Sequence, residues 1–353
     1  MSKSFDLALA GFGHVGRSFF RLIQDKAAFI ENRYGLHLTL QVILEQGGGL
    51  LSASPSGLND PEIADLPLAE LRSHPLWKPG LDFAQAIARL TPGVLVLATP
   101  SSLKTGEPGL SLTRLALHSG WHVVTADKAP LVVDFSGLRR KAEQKRLCLK
   151  FSGATAAALP ALDVGLYCLA GSEISLMEGI LNGTTNFILT EMGKGRSYDA
   201  CLEEAKARGI AEPDPSLDVS GRDTAIKLLL IARAIWESDI TLEDIAIEGI
   251  AQLPLHFVRR ATREGKKVKL IGRLERETKE LARGEKKEKQ GKIYASVQPQ
   301  AIDSNHPLFN VDGTNKAIAF TTDTMGIVSV SGGKSDPRGA AAALLKDILH
   351  IST

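Results

Sequence analysis

The hydrophobic pattern changes character partway along the chain. Before Phe151, short continuous apolar runs occur at Phe5–Ala10, Leu38–Leu44, Val94–Thr99, Trp121–Ala126 and Leu147–Phe151. Unbroken runs of strand length predict parallel strands buried on both faces. Helical patterns fall between them, at Arg17–Ile30 and, after Glu107-Pro108-Gly109, up to about Ser119. This alternation predicts a mostly parallel sheet with helices on both faces. Past Pro160 the rhythm fades. A strand is predicted over Ile174–Leu181, then helices opening at Asn182-Gly183-Thr184-Thr185-Asn186, at Tyr198–Arg208 and at Asp223–Trp236. Strand-like runs follow at Val268–Leu274, Ile293–Val297, Ala317–Thr321 and Ile327–Val330. They predict an antiparallel sheet with helices packed on one side. A last helix, Arg338–Ile351, is placed to return to the first domain.

One helix breaks its own pattern. Ala225, Ile226, Leu228, Leu229, Leu230, Ile231 and Ala232 leave little polar face, as in a buried helix. Yet Asp223 and Lys227 lie four residues apart on one side of it, with Ala234 near the same line. Burying charge is expensive even when it is paired. The pair reads either as a helix salt bridge or as a site. Just upstream, Glu212, Asp214 and Asp218 are spaced by Pro213 and Pro215, which hold that loop extended.

The first apolar run leads into Gly11-Phe12-Gly13-His14-Val15-Gly16 and a helix. Strand, G-x-G-x-x-G, helix is the context of a dinucleotide fingerprint. The first glycine permits the turn, the second lets backbone approach pyrophosphate, and the third packs helix on strand. Helix N-terminal amides then meet the phosphate charge. The second strand ends at Glu45, an acid that can bind ribose hydroxyls and repel a 2′-phosphate, which favours NAD over NADP. The glycines at 47 to 49 leave the shape of that pocket open, and Glu45 also reads as an exposed acid. Thr99 and Pro100 sit past the carboxyl end of a parallel strand, where ligands lie in open sheets. Lys128 follows the next strand, either facing the cofactor or as a surface lysine. Gly332-Gly333 suits a hinge or a close approach to the cofactor.

The fold class is therefore α/β. A Rossmann dinucleotide-binding domain spans residues 1–151 with the C-terminal helix 335–353. An α+β substrate and dimerisation domain with a largely antiparallel sheet spans residues 152–334. The 353 residues allow two substantial cores. A net charge of +2 argues against nucleic acid or a membrane surface as partner. No run has the length of a transmembrane helix, and the N-terminal run breaks at glycines rather than forming a signal peptide. Cys148, Cys168 and Cys201 have no paired spacing, which fits a reducing cytoplasm and no metal site; Cys148 and Cys168 sit in apolar runs and are expected in the core. Lys286, Lys287, Lys289 and Lys292 alternate with glutamates, as at a solvated hairpin tip.

Several segments in order resemble homoserine dehydrogenase: GFGHVG at Gly11–Gly16, TGEPGL at Thr105–Leu110, HVVTADKAPL at His122–Leu131, EGILNGTTNFIL at Glu178–Leu189, and GIAEPDPSLDVSGRDTAIKL at Gly209–Leu228. The resemblance implies NAD(P)-dependent interconversion of L-homoserine and L-aspartate 4-semialdehyde in threonine and methionine synthesis. It implies Lys227 as the leading acid–base residue, with Lys128 touching cofactor and substrate and able to share the proton relay. Asp223 would orient Lys227 or the reacting hydroxyl. Glu212 and Asp218 would hold the substrate amino group, Gly183 and Thr184 its polar end. Thr99 and Pro100 would flank the nicotinamide, and Gly333 would approach the cofactor. The family also implies a homodimer, with the strands between Lys292 and Val330 as the expected interface.

Three departures from the family pattern stand out. Asp127 replaces an asparagine beside Lys128. Ser152–Pro160 reads SGATAAALP where members commonly read EATVGAGLP, so a monovalent cation held by that glutamate is not expected. The last helix leaves no room for a regulatory ACT domain or a fused kinase, so threonine feedback through one is not expected. The first two departures keep open a related dehydrogenase of another small hydroxy-amino acid. A catalytically silent NAD-binding regulator fits poorly with a buried Asp223 and Lys227.

Overall fold

The computed structural model describes residues 3–277, 291–333 and 336–352. The chain forms two compact units, Met1–Ala157 with Asp336–Thr353, and Ala158–Ser335.

The first unit is built on a seven-stranded sheet. Its strands are β1 (Lys3–Ala10), β2 (Leu36–Glu45), β3 (Gly48–Leu51), β4 (Trp77–Pro79), β5 (Val94–Leu97), β6 (His122–Thr125) and β7 (Leu149–Lys150), in the order β4-β3-β2-β1-β5-β6-β7. From β2 to β7 all pairings are parallel, and β3 and β4 add an antiparallel edge. The strand order reverses between β1 and β5, the crevice where such sheets take ligands. Both core strands are sealed: Leu7, Leu9, Val94 and Val96 are completely buried. The helix Pro337–Ser352 completes this unit by packing on the helix His14–Asp25.

Two sequence expectations differ here. The helix expected over Arg17–Ile30 is two helices, His14–Asp25 and Ala27–Tyr34. Residues 25 to 29 are all exposed, so no buried side chain holds a single axis across the break. The glycines at 47 to 49 form the turn and first residues of a hairpin rather than a pocket. A Cβ on Gly49 would lie 2.5 Å from the Ile43 carbonyl oxygen, so only glycine fits that pairing.

The second unit holds a six-stranded sheet of β8 (Ile174–Ile180), β9 (Ile245–Ile247), β10 (Lys267–Arg276), β11 (Ile293–Ile302), β12 (Lys316–Thr322) and β13 (Gly326–Gly332). Its order is β13-β12-β8-β10-β11-β9, antiparallel except for β9 beside β11. The apolar helix Arg222–Trp236 lies on β10, where Gly272 lets Leu228 and Thr224 come close. Cys168 is exposed and Cys148 half-buried, contrary to the core expected from their apolar neighbours. Cys168 ends the short turn Val164–Cys168, in which Leu166 and Tyr167 are exposed too. Of the lysine-rich stretch, Lys286, Lys287 and Lys289 lie outside the described residues. Lys292 stacks over the Tyr294 ring at 5.0 Å. Among the described residues no helix is long and apolar enough to cross a membrane.

Candidate active site

In the first unit the fingerprint loop joins β1 to the helix His14–Asp25, and each glycine has its own steric reason. Gly11 has φ of +90°, and a Cβ there would lie 2.5 Å from the Ala98 carbonyl oxygen. Gly16 lies against the loop itself, where a Cβ would fall 2.1 Å from the Gly11 carbonyl oxygen. Gly13 faces open space, with nothing within 4 Å of a Cβ. Turn, open approach and helix packing are thus divided among the three as a pyrophosphate cradle requires. His14 is exposed and Val15 half-buried. The Phe12 ring is buried, edge-on to Phe20 and under the Arg17 guanidinium, so Phe12 offers the loop only its backbone. Its amide donates to Glu45 Oε1, and the Gln46 amide donates to Glu45 Oε2 at 3.3 Å. Glu45 therefore stands against the fingerprint loop.

At the ends of β5 and β6, the partly exposed Thr99 and exposed Pro100 follow one strand, and Asp127-Lys128 the other. Half-buried Lys128 caps the helix Ala129–Gln144. Asp127 is buried and accepts from Thr99 Oγ1 at 2.8 Å, from Ser101 Oγ, and from the Ala129 amide at 3.0 Å. Burial pushes its pKa up, while the hydrogen bonds and the Lys128 charge pull it back.

The second unit gathers its side chains from three segments. Lys227 Nζ lies 2.6 Å from Asp223 Oδ2 and donates to the Leu181 carbonyl at 2.8 Å. Asn182 caps the helix Gly183–Gly193 through its side-chain oxygen, which accepts from the Thr185 amide at 2.9 Å. Its nitrogen donates to Asp218 at 2.6 Å and to Asp223 at 2.9 Å, so one amide holds two carboxylates. Thr184 donates to the Ile210 carbonyl at 3.0 Å, which ties the upstream loop to the same helix end. Burial and then the Asp223 charge push the Asp218 pKa up; Asn182, Lys227 and Thr184 oppose them.

Not every expected residue joins this cluster through a described contact. Gly183 is buried in the first turn of its helix. Glu212 is exposed on the loop. Asp214 is exposed and accepts from the Ser216 amide at 3.1 Å, which gives it a turn-forming role; hydrogen bonding from the Ser216 side chain and then from this amide holds its pKa down. Gly333 has φ of +73°, and its close approach is to the Leu159 backbone, where a Cβ would fall 2.6 Å away. In the sequence Asn182 marks only the opening of a helix; its role as a bridge depends on the carboxylates that folding brings to it. Ser152, where the family pattern has glutamate, donates to Asp347 Oδ1 at 2.8 Å and accepts from Lys346 Nζ at 2.9 Å. Among the described residues no group of three or more His, Cys, Asp or Glu side chains converges as a metal site.

A glycine loop of dinucleotide-fingerprint form at the switch point of one sheet, with an acid–amine cluster in the other unit, points to the class of nicotinamide-dependent dehydrogenases. The family model for homoserine dehydrogenase matches residues 160–349. An NAD(+)-dependent homoserine dehydrogenase from Pseudomonas canavaninivorans is 32% identical over 349 residues, covering 98% of this chain and 96% of the relative. One from Methanocaldococcus jannaschii is 30% identical over 347 residues, covering 98% of both. The crystal structure of a homoserine dehydrogenase from Thiobacillus denitrificans superposes with a TM-score of 0.81 at 26% identity, covering 99% of this chain and 73% of that one. The chain belongs to the homoserine dehydrogenase family, oxidoreductases acting on the CH–OH group of homoserine.

Proposed function

We propose that this chain interconverts L-homoserine and L-aspartate 4-semialdehyde with Lys227 as its acid–base residue, using NAD or NADP, with NAD favoured. The observation that carries the role of Lys227 is its ammonium, largely buried yet fixed by Asp223 and the Leu181 carbonyl. An ammonium has three N–H bonds, so one remains for a substrate oxygen. Bound nicotinamide supplies the hydride acceptor or donor for the substrate carbon. In the reduction direction the Lys227 ammonium gives a proton to the oxygen formed from the aldehyde; in the oxidation direction its neutral amine takes the proton of the homoserine hydroxyl. Asp223 orients Lys227, and Asn182 fixes Asp223.

Asp218 holds the substrate ammonium, helped by Glu212, and Gly183 and Thr184 face its polar end. A carboxylate kept in a largely buried place beside Asp223 gains most from an incoming cation. Lys128 assists at the cofactor and in proton transfer. Glu45 favours NAD through the ribose hydroxyls, and the fingerprint loop Gly11–Gly16 holds the pyrophosphate. Thr99 and Pro100 flank the nicotinamide, and Gly333 supports the approach to it.

The enzyme acts in the cytoplasm, in threonine and methionine synthesis, as a homodimer joined through the second sheet. Support for that interface is the apolar surface at the β12–β13 turn and on β11, where Met325 is 50%, Ile327 63% and Tyr294 50% exposed. The test is semialdehyde reduction followed with NADH and NADPH in parallel. Turnover with NADH in excess of NADPH is expected. No turnover with either would overturn the reading.

A further inference from the structure

The buried carboxylate of Asp127 sets the direction of hydrogen bonding at the ends of β5 and β6. An ionised carboxylate only accepts, and a hydroxyl has a single proton to give. Thr99 and Ser101 both give theirs to Asp127 Oδ2. Ser101 Oγ in turn accepts from the Gly109 amide at 2.9 Å. Asp127 Oδ1 takes the Ala129 amide. Gly109 is glycine for the same reason, since a Cβ there would lie 2.5 Å from Asp127 Oδ2 and 2.7 Å from Ser101 Oγ. Thr99–Ser101 and the start of the helix Ala129–Gln144 are thus fastened directly to one side chain, and the start of the helix Gly109–His118 is fastened to it through Ser101. Thr99 Oγ1, its proton committed inward, is left with lone pairs. Thr99 as a residue is partly exposed, just past the carboxyl end of β5.

We infer that Asp127 is a positioning residue that makes Thr99 a hydrogen-bond acceptor toward the ligand, so that this strand end selects a nicotinamide whose carboxamide can donate. The inference rests on the cofactor reading above. An amide at position 127 would keep the shape but reverse the polarity. Its NH2 would donate to the two hydroxyls, and Thr99 would turn its proton outward.

The probe is a pair of reduced dinucleotides, NADH and its 3-acetylpyridine analogue, which keeps the ring carbonyl but lacks the carboxamide NH2. Calorimetric titration of the whole protein is expected to give wild type about tenfold tighter binding of NADH than of the analogue, the ratio that one buried hydrogen bond supports. In Asp127→Asn the ratio is expected to fall to within about twofold, and Thr99→Val, which removes only the hydroxyl, is expected to do the same. A merely structural role would weaken both ligands together and leave the ratio unchanged, and that result in either folded variant overturns the inference. A wild type that binds both ligands equally also overturns it. A wild type that binds neither defeats the cofactor reading and this inference with it. Homoserine turnover by wild type tests the substrate reading separately.

Discussion

The loop Gly11–Gly16 and the Asn182–Asp218–Asp223–Lys227 cluster are made of different material. The loop works through what its residues lack. Three glycines clear space, and the contact it makes with Glu45 is a backbone amide. The cluster works through four side chains from three separate segments, tied by an amide and an ammonium. A backbone site is robust to chemistry but intolerant of bulk. A side-chain site is tolerant of neither loss of charge nor loss of a donor. The two regions should therefore fail in different ways when changed, and that difference is open to test.

The largest effect is expected at Lys227. Lys227→Ala should lower kcat by about 10³-fold, within the usual range for a general acid or base. NADH affinity should stay within about twofold, because the fingerprint loop is untouched. Steady-state kinetics with NADH titration reads both. Equal losses in turnover and cofactor binding would mean that the two sites are not separable in this way.

Asp218 comes next. Asp218→Asn removes the charge but keeps the shape, and should raise the homoserine KM by about 30-fold, with a smaller fall in kcat. The raised pKa of Asp218 also gives a sign in pH. The carboxylate must be ionised to hold an ammonium, so homoserine KM should rise as pH falls through that raised value. The rise should begin at a higher pH than an ordinary carboxylate would give, and Asp218→Asn should abolish it. A wild-type KM that is flat on the acid side would remove Asp218 from substrate binding.

What the sequence disclosed follows the same division. The fingerprint is local: six consecutive residues state the turn, the open approach and the packing, so Gly11, Gly13 and Gly16 were legible with their reasons. Asp223 and Lys227 were legible because helical spacing puts them on one face of an apolar helix. The bridge between Asp218 and Asp223 was not, since Asn182 is 36 residues from one and 41 from the other. Lys269 shows the limit most plainly. It is fully buried in β10 and donates to Asn186, to the Val311 carbonyl at 2.5 Å and to Asp312. Burial pulls its pKa down against the pull of Asp312. Nothing in the alternation of β10 sets it apart, because its partners arrive from a helix about 80 residues before it and a loop about 40 after it. The strand ends and the hairpin at Gly48 were blurred for a related reason: pairing partners, not propensity, decide where a short strand stops.

The smallest effects distinguish two glycines of the loop. Gly13→Ala and Gly16→Ala add the same methyl group three residues apart in the same turn. At Gly16 the new Cβ would fall 2.1 Å from the Gly11 carbonyl oxygen, a backbone atom that cannot rotate away. Helix and loop must separate, and overpacking of this kind costs about 1–3 kcal/mol. Gly16→Ala should thus lower the melting temperature and weaken NADH together. At Gly13 nothing lies within 4 Å, so no packing opposes the added methyl group. Gly13 is the helix N-cap, where glycine outranks alanine, so the substitution carries only a capping cost of about 1 kcal/mol or less. With pyrophosphate in the space above Gly13, Gly13→Ala should weaken NADH about fivefold with a smaller fall in melting temperature than Gly16→Ala. A backbone-built site predicts this split, in which one methyl group is felt mainly by the fold and the other mainly by the ligand. Equal effects of the two substitutions on stability would mean that Gly13 is held by packing after all, and the open approach would have to be assigned elsewhere in the loop.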